Sequence, residues 1–543
     1  FATRASEFSA HLTQVPIIAP FAQASEIFFE GAAAIASLFG FSVPTMNNEP
    51  VRVKNEPYAN GAQVIGYDTG KRITLDPKQE LSVDPRATGV LTDDMAISAM
   101  TGRVSLLDTF EWSVSDLSLQ SGIWMAPVSP MIAKRFSLGG FPEEFVVAPT
   151  ALAFASAPFE YWRGDIEFHF QIICSKFHRG KLAFYYEPNI AQNGLIDTEL
   201  LLNEQFVKII DIQETTDVTL TVKWAAPKAW MRNLTIDLLG DIGTIGFLGN
   251  GLFNFANGYL AVVPFTTLQS PNDTSVQVNV YVSAPEMRFN QLVETRFPMQ
   301  RPATQAGEAE TKEMADNLNE STATLDGINE LHFGEAPVSF RGLCKRFVSR
   351  TSMATPMSGA DDLPISLYLA QNYPAPDIGF TAGMRTDPAN IVRYLRYAFL
   401  GIRGGYKHRI GLLGNYTTPQ VSKTKVSLTI PSTTIVPDAF LTTSSYDFAK
   451  SSINGTVEFM TSTNAGIEFE VPLYTSNLFG ISFSDDPFPA SNSNVEATLM
   501  RRFAVASPMR SIDVSTMFVQ HDFAAAEDFT LMRFQGAPPY QYI

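Results

Sequence analysis

The chain has 543 residues, of which 17% are charged and 41 are phenylalanine, and its formal net charge is −16. A chain of this length is too long for a single hydrophobic core and predicts two to three domains. The low fraction of charged residues suits large buried faces, including faces buried against other subunits. The acidic charge argues against nonspecific nucleic-acid binding, which needs lysine and arginine at the phosphates. Two cysteines, Cys174 and Cys344, exclude a disulfide framework and a paired-cysteine metal site.

The N-terminal segment differs in composition from the rest of the chain. Residues 24–41 read ASEIFFEGAAAIASLFGF, with apolar residues at helical spacing and only two charges. The apolar run is shorter and more interrupted than the ~20 residues that a membrane span needs. The pattern therefore predicts an amphipathic helix that seeks an interface, although a helix packed beneath its own domain has the same pattern.

Residues 42–298 consist of short apolar or alternating runs separated by proline, glycine and asparagine, which is typical of a β-sandwich or barrel. The stretch DIEFHFQI, residues 165–172, alternates strictly, so successive side chains point to opposite faces of a strand. A second run follows Gly180, with Leu182, Phe184 and Tyr186 on one face. We predict that the two strands form an antiparallel pair, each with one buried face.

A polar, acidic segment, residues 295–330, interrupts the strand pattern and predicts a linker or a disordered arm. After it the strand pattern resumes and continues to the end of the sequence. An arginine–glycine pair precedes an apolar strand in both halves, as Arg163–Gly164 and as Arg403–Gly404. The two halves therefore share an architecture without a detectable sequence repeat.

Sequence motifs for catalysis or metal binding are absent. The sequence contains no phosphate-binding glycine loop, zinc-finger spacing, GxSxG or HExxH, and its six histidines are scattered. His169, on the polar face of the first strand, is interpreted as an ordinary surface or interface residue. Two acidic stretches are candidates for proton transfer, because adjacent carboxylates raise one another's pKa, although solvated loop acids are the simpler interpretation. They are Asp485-Asp486 and Glu527-Asp528-Phe529.

Several separated motifs agree in order with one family. The stretch PFEYWRGDIEFHFQIICSKFHRGKLAFYYEPN resembles the central strands of capsid proteins from picorna-like viruses, most closely the insect dicistroviruses and their algal and marine relatives. The stretch NGYLAVVPFTTLQSPNDTSVQVNVYVSAPEMRF is similar to the closing strands of the same domain. In the second half, FGEAPVSFRGLCKRF, YAFLGIRGGYKHRI and AAAEDFTLMRFQGAPP carry the resemblance.

The resemblance implies an all-β chain with two eight-stranded antiparallel jelly rolls and a short N-terminal helical peptide. Residues 1–41 would be a small internal capsid peptide, 42–305 the first roll, 306–330 an acidic flexible arm and 331–543 the second roll. The implied role is structural, in the pseudo-T=3 icosahedral shell of a non-enveloped positive-strand RNA virus, with no cofactor and no metal. The alternative is a β-sandwich that binds carbohydrate or acts on glycosides, which would expose tryptophan beside two facing carboxylates.

Partners follow from the same resemblance. They are further copies of the chain and another jelly-roll capsid protein in the shell, the enclosed viral RNA, a host receptor that the sequence does not identify, and the host membrane. Membrane contact is expected through Phe28, Phe29, Leu38 and Phe39 of the N-terminal peptide. The expected location is the virion, assembled in the host cytoplasm.

The resemblance also implies a cleavage in the linker. A viral chymotrypsin-like cysteine protease would cut between Gln305 and Ala306, since such proteases prefer glutamine before a small residue in an extended segment. Gln300 is a weaker site because the bulky Arg301 follows it.

A second cleavage is implied at the junction Phe41–Ser42, where the assembled shell would release the internal peptide. The family uses an Asp-Asp-Phe motif for this step. Glu527-Asp528-Phe529 is the closest match, with glutamate in its first position, and Asp485-Asp486 is the second candidate, interrupted by a proline.

Overall fold

The computed structural model describes residues 71–72, 93–117, 122–137, 145–188, 206–233, 255–293, 316–317, 332–333, 337–356, 363–364, 367–370, 391–414, 423–429, 456–460, 466–471, 478–482, 502–506, 508–509 and 516–542. The chain forms two compact units, one of Phe1–Pro57 with Leu325–Ala336 and one of Tyr58–Thr324 with Pro337–Ile543. Both β-rich halves of the chain belong to the second unit.

The first half is built from short strands. In chain order they are β1 (Lys71–Arg72), β2 (Ser105–Trp112), β3 (Trp124–Pro127), β4 (Ala133–Ser137), β5 (Phe145–Pro149), β6 (Phe159–Arg163), β7 (Ile166–Ile173), β8 (Lys181–Glu187), β9 (Phe206–Asp211), β10 (Asp217–Val222), β11 (Met231–Arg232), β12 (Tyr259–Pro264), β13 (Val276–Ser283) and β14 (Arg288–Leu292). The segment between the halves adds β15 (Asp316–Asn317). Short helices lie at Ile97–Thr101 and Ala151–Ser156, with a 3-10 turn at Pro271–Asp273.

Eight of these strands form two antiparallel sheets that face each other. One sheet has the order β2-β13-β7-β10 and the other the order β3-β12-β8-β9. Phe170 on β7 lies between the sheets, with ring centroids 5.5 Å from Trp124 and 4.7 Å from Phe184 in the opposite sheet. Burial of these large rings between two sheets is what holds a β-sandwich together.

The predicted faces of β7 are confirmed, but its predicted pairing is wrong. Its apolar side chains are buried and its polar ones only half-buried, in strict alternation along Ile166–Gln171. Its neighbours, however, are β10 and β13, whereas β8 lies in the opposite sheet. The corner between the two strands carries the chain from one sheet to the other. His178 is buried there and bonds to Ser175 and Thr274, and Gly180 lies directly against the Trp112 ring.

Strand β8 also differs from its predicted half-buried state. Every side chain from Leu182 to Tyr186 is buried, so both faces of the strand are covered. The strand lies inside its sheet between β9 and β12, and Tyr185 packs edge-on against Tyr259 on the outer face. Burial of the second face agrees with the sequence of the strand, since the residues between the predicted core positions, Ala183 and Tyr185, are small or aromatic and not charged.

The second half continues with strands that follow the same plan. In chain order they are β16 (Val348–Pro356), β17 (Leu363–Pro364), β18 (Leu367–Ala370), β19 (Phe399–Arg403), β20 (Tyr406–Gly414), β21 (Lys423–Thr429), β22 (Thr456–Met460), β23 (Gly466–Val471), β24 (Gly480–Ile481), β25 (Arg502–Ala506), β26 (Pro508–Met509), β27 (Thr516–Ala525), β28 (Thr530–Phe534) and β29 (Tyr540–Tyr542). Helices lie at Phe340–Cys344 and Ile391–Arg396.

The strand order of the second half repeats that of the first. Its two antiparallel four-stranded sets are β16-β27-β20-β23 and β18-β25-β21-β22, and a small sheet β24-β19-β28 corresponds to β11-β6-β14. In each half a short helix leads into the strand that ends in the Arg–Gly pair. The prediction of an all-β fold with little helix is confirmed.

Strand pairs join one half to the other. β1, from the first half, pairs in parallel with β23, and β15, from the segment between the halves, pairs in parallel with β10. Near the end of the chain, β29 pairs with the edge of the β4-β5 hairpin. Each half therefore adds main-chain hydrogen bonds to a sheet of the other.

The halves also meet through corresponding helices. Phe154, in the helix that leads into β6, stacks on Tyr394, in the helix that leads into β19, with ring centroids 4.4 Å apart. The Tyr394 hydroxyl donates a hydrogen bond to the Phe154 carbonyl (2.7 Å). Both side chains are fully buried, so this contact belongs to the core that the halves share.

Candidate functional site

The acidic stretch predicted as a site forms the tight turn between β27 and β28. Phe529 is buried and its ring lies 5.4 Å from that of Tyr406. The turn packs directly on Gly404, whose φ is +111°. A Cβ atom placed on Gly404 would lie 2.3 Å from the Phe529 Cα and 2.5 Å from the Asp528 carbonyl oxygen, so only glycine fits this contact.

Asp528 is held by the main chain of the facing turn. Its Oδ1 accepts a hydrogen bond from the Gly405 amide (3.0 Å), and the Gly405 carbonyl accepts one from the Ala526 amide (3.1 Å). The Phe529 amide closes the turn by donating to the Ala526 carbonyl (3.2 Å). Among the described residues, Oδ1 is the only carboxylate oxygen of Asp528 that accepts a hydrogen bond, so the carboxylate is oriented by one of its two oxygens.

Glu527 has different surroundings from Asp528. Its side chain is half exposed and forms ion pairs with Lys345 and, at 3.8 Å, with Lys407. Both lysines belong to the second half, so they fix the glutamate to its own domain. The two neighbouring carboxylates therefore have different partners: Glu527 pairs with lysines, and Asp528 accepts a hydrogen bond from a main-chain amide.

Asp93, in the first half, reaches the same turn through Arg341. The Arg341 Nη2 lies 3.0 Å from the Asp93 Oδ1, and the Ser339 hydroxyl donates to the Asp93 Oδ2 (2.7 Å). Burial opposes ionisation of Asp93, but the hydrogen bonds from Ser339 and Arg341, the arginine charge and the Met95 amide outweigh it and hold the pKa below its ordinary value. The carboxylate is thus ionised at neutral pH, and the stabilisation that it provides is lost as the pH falls through this lowered pKa.

Segment 93–97 of the first half lies between two parts of the second half. On one side, the Phe340 amide donates to the Met95 carbonyl (2.9 Å) and the Ile97 amide to the Val338 carbonyl (3.0 Å). On the other, the Arg533 amide donates to the Asp94 Oδ2 (2.6 Å). The segment therefore couples the start of the Phe340–Cys344 helix to strand β28.

Sequence reasoning missed Asp93 and Arg341. Asp93-Asp94 is an adjacent acid pair, and this was the available signal, but nothing local connects it to a turn more than 400 residues away. The remaining predicted site residues lie outside the described residues. They are Phe28, Phe29, Leu38, Phe39, Phe41, Ser42, Gln305, Ala306, Asp485 and Asp486.

Other reactive side chains in the described part of the chain have structural surroundings. His169 hydrogen-bonds to the Thr219 hydroxyl (2.9 Å), and His178 to the Ser175 and Thr274 hydroxyls. Burial raises the pKa of Cys344 to about 12, so its thiol is protonated and inert at neutral pH. Within the described residues no three histidines, cysteines or carboxylates could hold a metal ion, and no helix there has the length and apolarity to cross a membrane.

The tryptophans do not form a sugar-binding platform. All five lie among the described residues, and their exposed fractions range from 0% to 8%. Carbohydrate sites use exposed tryptophan faces, so the carbohydrate alternative is not favoured. The members are Trp112, Trp124, Trp162, Trp224 and Trp230.

Both halves match capsid proteins. Residues 328–543 match the family model described as CRPV capsid protein like, and residues 150–232 match the model described as picornavirus capsid protein. The structural polyprotein of Cricket paralysis virus is 26% identical over 226 residues, which are 42% of this chain and 25% of that polyprotein. Both halves are thus similar to capsid proteins of picorna-like viruses, with the second half most like the dicistrovirus type.

A further curated relative and a solved structure are also similar to this chain. The structural polyprotein of Acute bee paralysis virus is 21% identical over 313 residues, covering 52% of this chain and 34% of that polyprotein. Among solved structures, a marine algae virus of the order Picornavirales shares 26% identity with a TM-score of 0.38, covering 47% of this chain and 96% of that chain. The capsid chain spans about a third or less of the length of these curated relatives.

Proposed function

We propose that the chain supplies two jelly-roll domains to the icosahedral shell of a non-enveloped positive-strand RNA virus. The observation that carries this proposal is the repeated strand order of the two halves, each with two antiparallel four-stranded sets, an arrangement that suits a double-sheet jelly roll. Such domains tile a shell when their edges and loops bury one another, which suits a chain with few charges. Further copies of the chain and another jelly-roll protein complete the shell.

The shell encloses the viral RNA without gripping it tightly. With 55 acidic and 39 basic residues, the chain has no excess of lysine and arginine that could neutralise a genome. The chain would act in the virion after assembly in the host cytoplasm. Electron microscopy of the chain co-expressed with the rest of its structural polyprotein tests the proposal: closed icosahedral particles support it, and only soluble monomers would contradict it.

Cleavage of the linker is expected between Gln305 and Ala306, because glutamine before a small residue suits the viral cysteine protease. The strand at Asp316–Asn317 would then remain with the second product while paired to β10 of the first. Mass spectrometry of mature particles should find a chain that begins at Ala306. An N-terminus at another residue of the linker contradicts this cleavage site.

The N-terminal peptide is expected to act on membranes after its release inside the shell. Phe28, Phe29, Leu38 and Phe39 supply apolar surface, and the low charge reduces the cost of insertion. A synthetic peptide of residues 1–41 should make liposomes leak at micromolar concentration. The same peptide with these four residues changed to serine is the control, and equal leakage from both would contradict the assignment.

Release of this peptide is proposed to use Asp528. A water molecule attacks the Phe41 carbonyl while the Asp528 carboxylate accepts its proton. The C–N bond to Ser42 then breaks as Asp528 passes that proton to the leaving nitrogen. The products are a Ser42 amine and a Phe41 carboxylic acid, which ionises to the carboxylate. The hydrogen bond from Gly405 supports this role because it orients the carboxylate through one oxygen.

A further inference from the structure

Arg341 contacts both halves of the chain with one planar side chain. Its Nη1 donates to the Phe529 carbonyl (2.6 Å), and its Nη2 donates to the Thr530 hydroxyl (2.8 Å). The same Nη2 donates to Asp93 of the first half (3.0 Å). Phe529 and Thr530, the acceptors in the second half, immediately follow Asp528. The guanidinium therefore binds the turn that carries the carboxylate proposed to act in peptide release.

Asp93 in turn fixes the position of Arg341. The Ser339 hydroxyl, which donates to Asp93, also accepts a hydrogen bond from the Arg341 amide (3.2 Å) at the start of the helix. The carboxylate of the first half therefore holds both the side chain of Arg341 and the helix end from which it projects. Without Asp93, the arginine would lose its one anionic partner among the described residues and, with it, the restraint on its direction.

We propose that Arg341 is a positioning residue that makes the shape of the Glu527–Thr530 turn depend on the docking of segment 93–97. The consequence for maturation rests on the proposed role of Asp528. If the turn is fully ordered only when segment 93–97 is docked, peptide release is restricted to particles in which the two halves are correctly packed against each other. Arginine is needed because it donates to these three acceptors from two separate nitrogens, whereas a lysine has a single ammonium nitrogen.

The test compares three variants as assembled particles of the full chain. Arg341→Lys keeps the charge but loses the planar fork, and Asp93→Asn keeps the size but loses the charge. Arg103→Lys is the matched control, because Arg103 also donates across the halves, to the Phe534 carbonyl at the far end of β28, without touching the turn. Hydrogen exchange of residues 526–531 and the rate of N-terminal peptide release are measured for each.

Arg341→Lys and Asp93→Asn are expected to speed exchange in the turn about tenfold, since each weakens a charged hydrogen bond. Both should also slow peptide release, whereas Arg103→Lys should leave exchange and release unchanged. Exchange in Arg341→Lys that matches the unmodified chain, or an equal effect of Arg103→Lys, would overturn the proposal. If Arg341→Lys does not assemble, Asp93→Asn decides by the same criterion.

The exchange measurement separates this inference from the proposed maturation chemistry. If Asp528→Asn particles release the peptide normally while Arg341→Lys loosens the turn, the maturation role fails and the positioning role stands. If Asp528→Asn blocks release but neither Arg341→Lys nor Asp93→Asn alters exchange or release, the positioning role fails alone.

Discussion

Replacing Gly404 with alanine is expected to destabilise the second half of the capsid chain by about 4 kcal/mol. Two causes add: the left-handed φ of +111° strains any residue with a Cβ, and that Cβ would meet main-chain atoms of Asp528 and Phe529 at 2.3–2.6 Å. Main-chain atoms in a closed turn cannot move aside as a flexible side chain can. The turn must therefore shift away from β20, and the hydrogen bond between Gly405 and Asp528 is lost.

Gly536→Ala is the matched control for this change. Gly536 also has a left-handed φ, +130°, but a Cβ there has no neighbour within 4 Å, so only the backbone strain remains, about 1 kcal/mol. Hydrogen exchange of peptides from β20 and β28 reports the second half, while tryptophan fluorescence reports the first, which contains all five tryptophans. Equal exchange in the two variants would show that the close contact at Gly404 contributes nothing.

The sequence predicted the strands better than their partners. Strict alternation in β7 fixed its buried face, because the side chains of a strand point alternately to its two sides. Alternation carries no information about which strand lies alongside, so β7 and β8 were predicted as a pair although they face each other across the sandwich. The choice depends on the whole strand order, and the polar corner between them fits either path.

In the candidate site, too, single residues could be predicted from the sequence, but the contacts between residues far apart in the chain could not. The acidic stretch and the glycine of the Arg–Gly pair could each be singled out from the sequence, but their contact at Gly404 could not. Asp93 and Arg341 join the turn through tertiary hydrogen bonds, and neither has a distinctive sequence context. The repeated architecture of the halves, predicted from the Arg–Gly pairs, is the part that the strand orders confirm.

Asp528→Asn is expected to give assembled particles in which release of the N-terminal peptide is at least about 100-fold slower. The asparagine keeps the shape of the side chain, and its carbonyl oxygen can still accept the hydrogen bond from Gly405. The fold of the turn should thus be preserved while the proton acceptor is removed. Mass spectrometry of particles at intervals after assembly measures the fraction that retains residues 1–41 joined to Ser42.

Asp94→Asn is the control for a change of charge near the same turn. Asp94 also accepts a hydrogen bond from a main-chain amide, that of Arg533, and the substitution is the same. It should leave peptide release unchanged, because the asparagine oxygen can still accept the Arg533 amide, so segment 93–97 stays docked, and Asp94 is not in the acidic motif. A similar delay in both variants would mean that the local charge or the docking of the halves matters, and not the proton acceptor at Asp528.

Asp486→Asn distinguishes the two acidic candidates. Pro487 interrupts the second motif before Phe488, so its carboxylates are not expected to act on Phe41. Particles that mature normally with Asp486→Asn and stop with Asp528→Asn assign the step to the turn between β27 and β28. The reverse result transfers it to Asp486. Normal release in both would mean that neither Asp528 nor Asp486 is needed, and that the junction is cut by another agent.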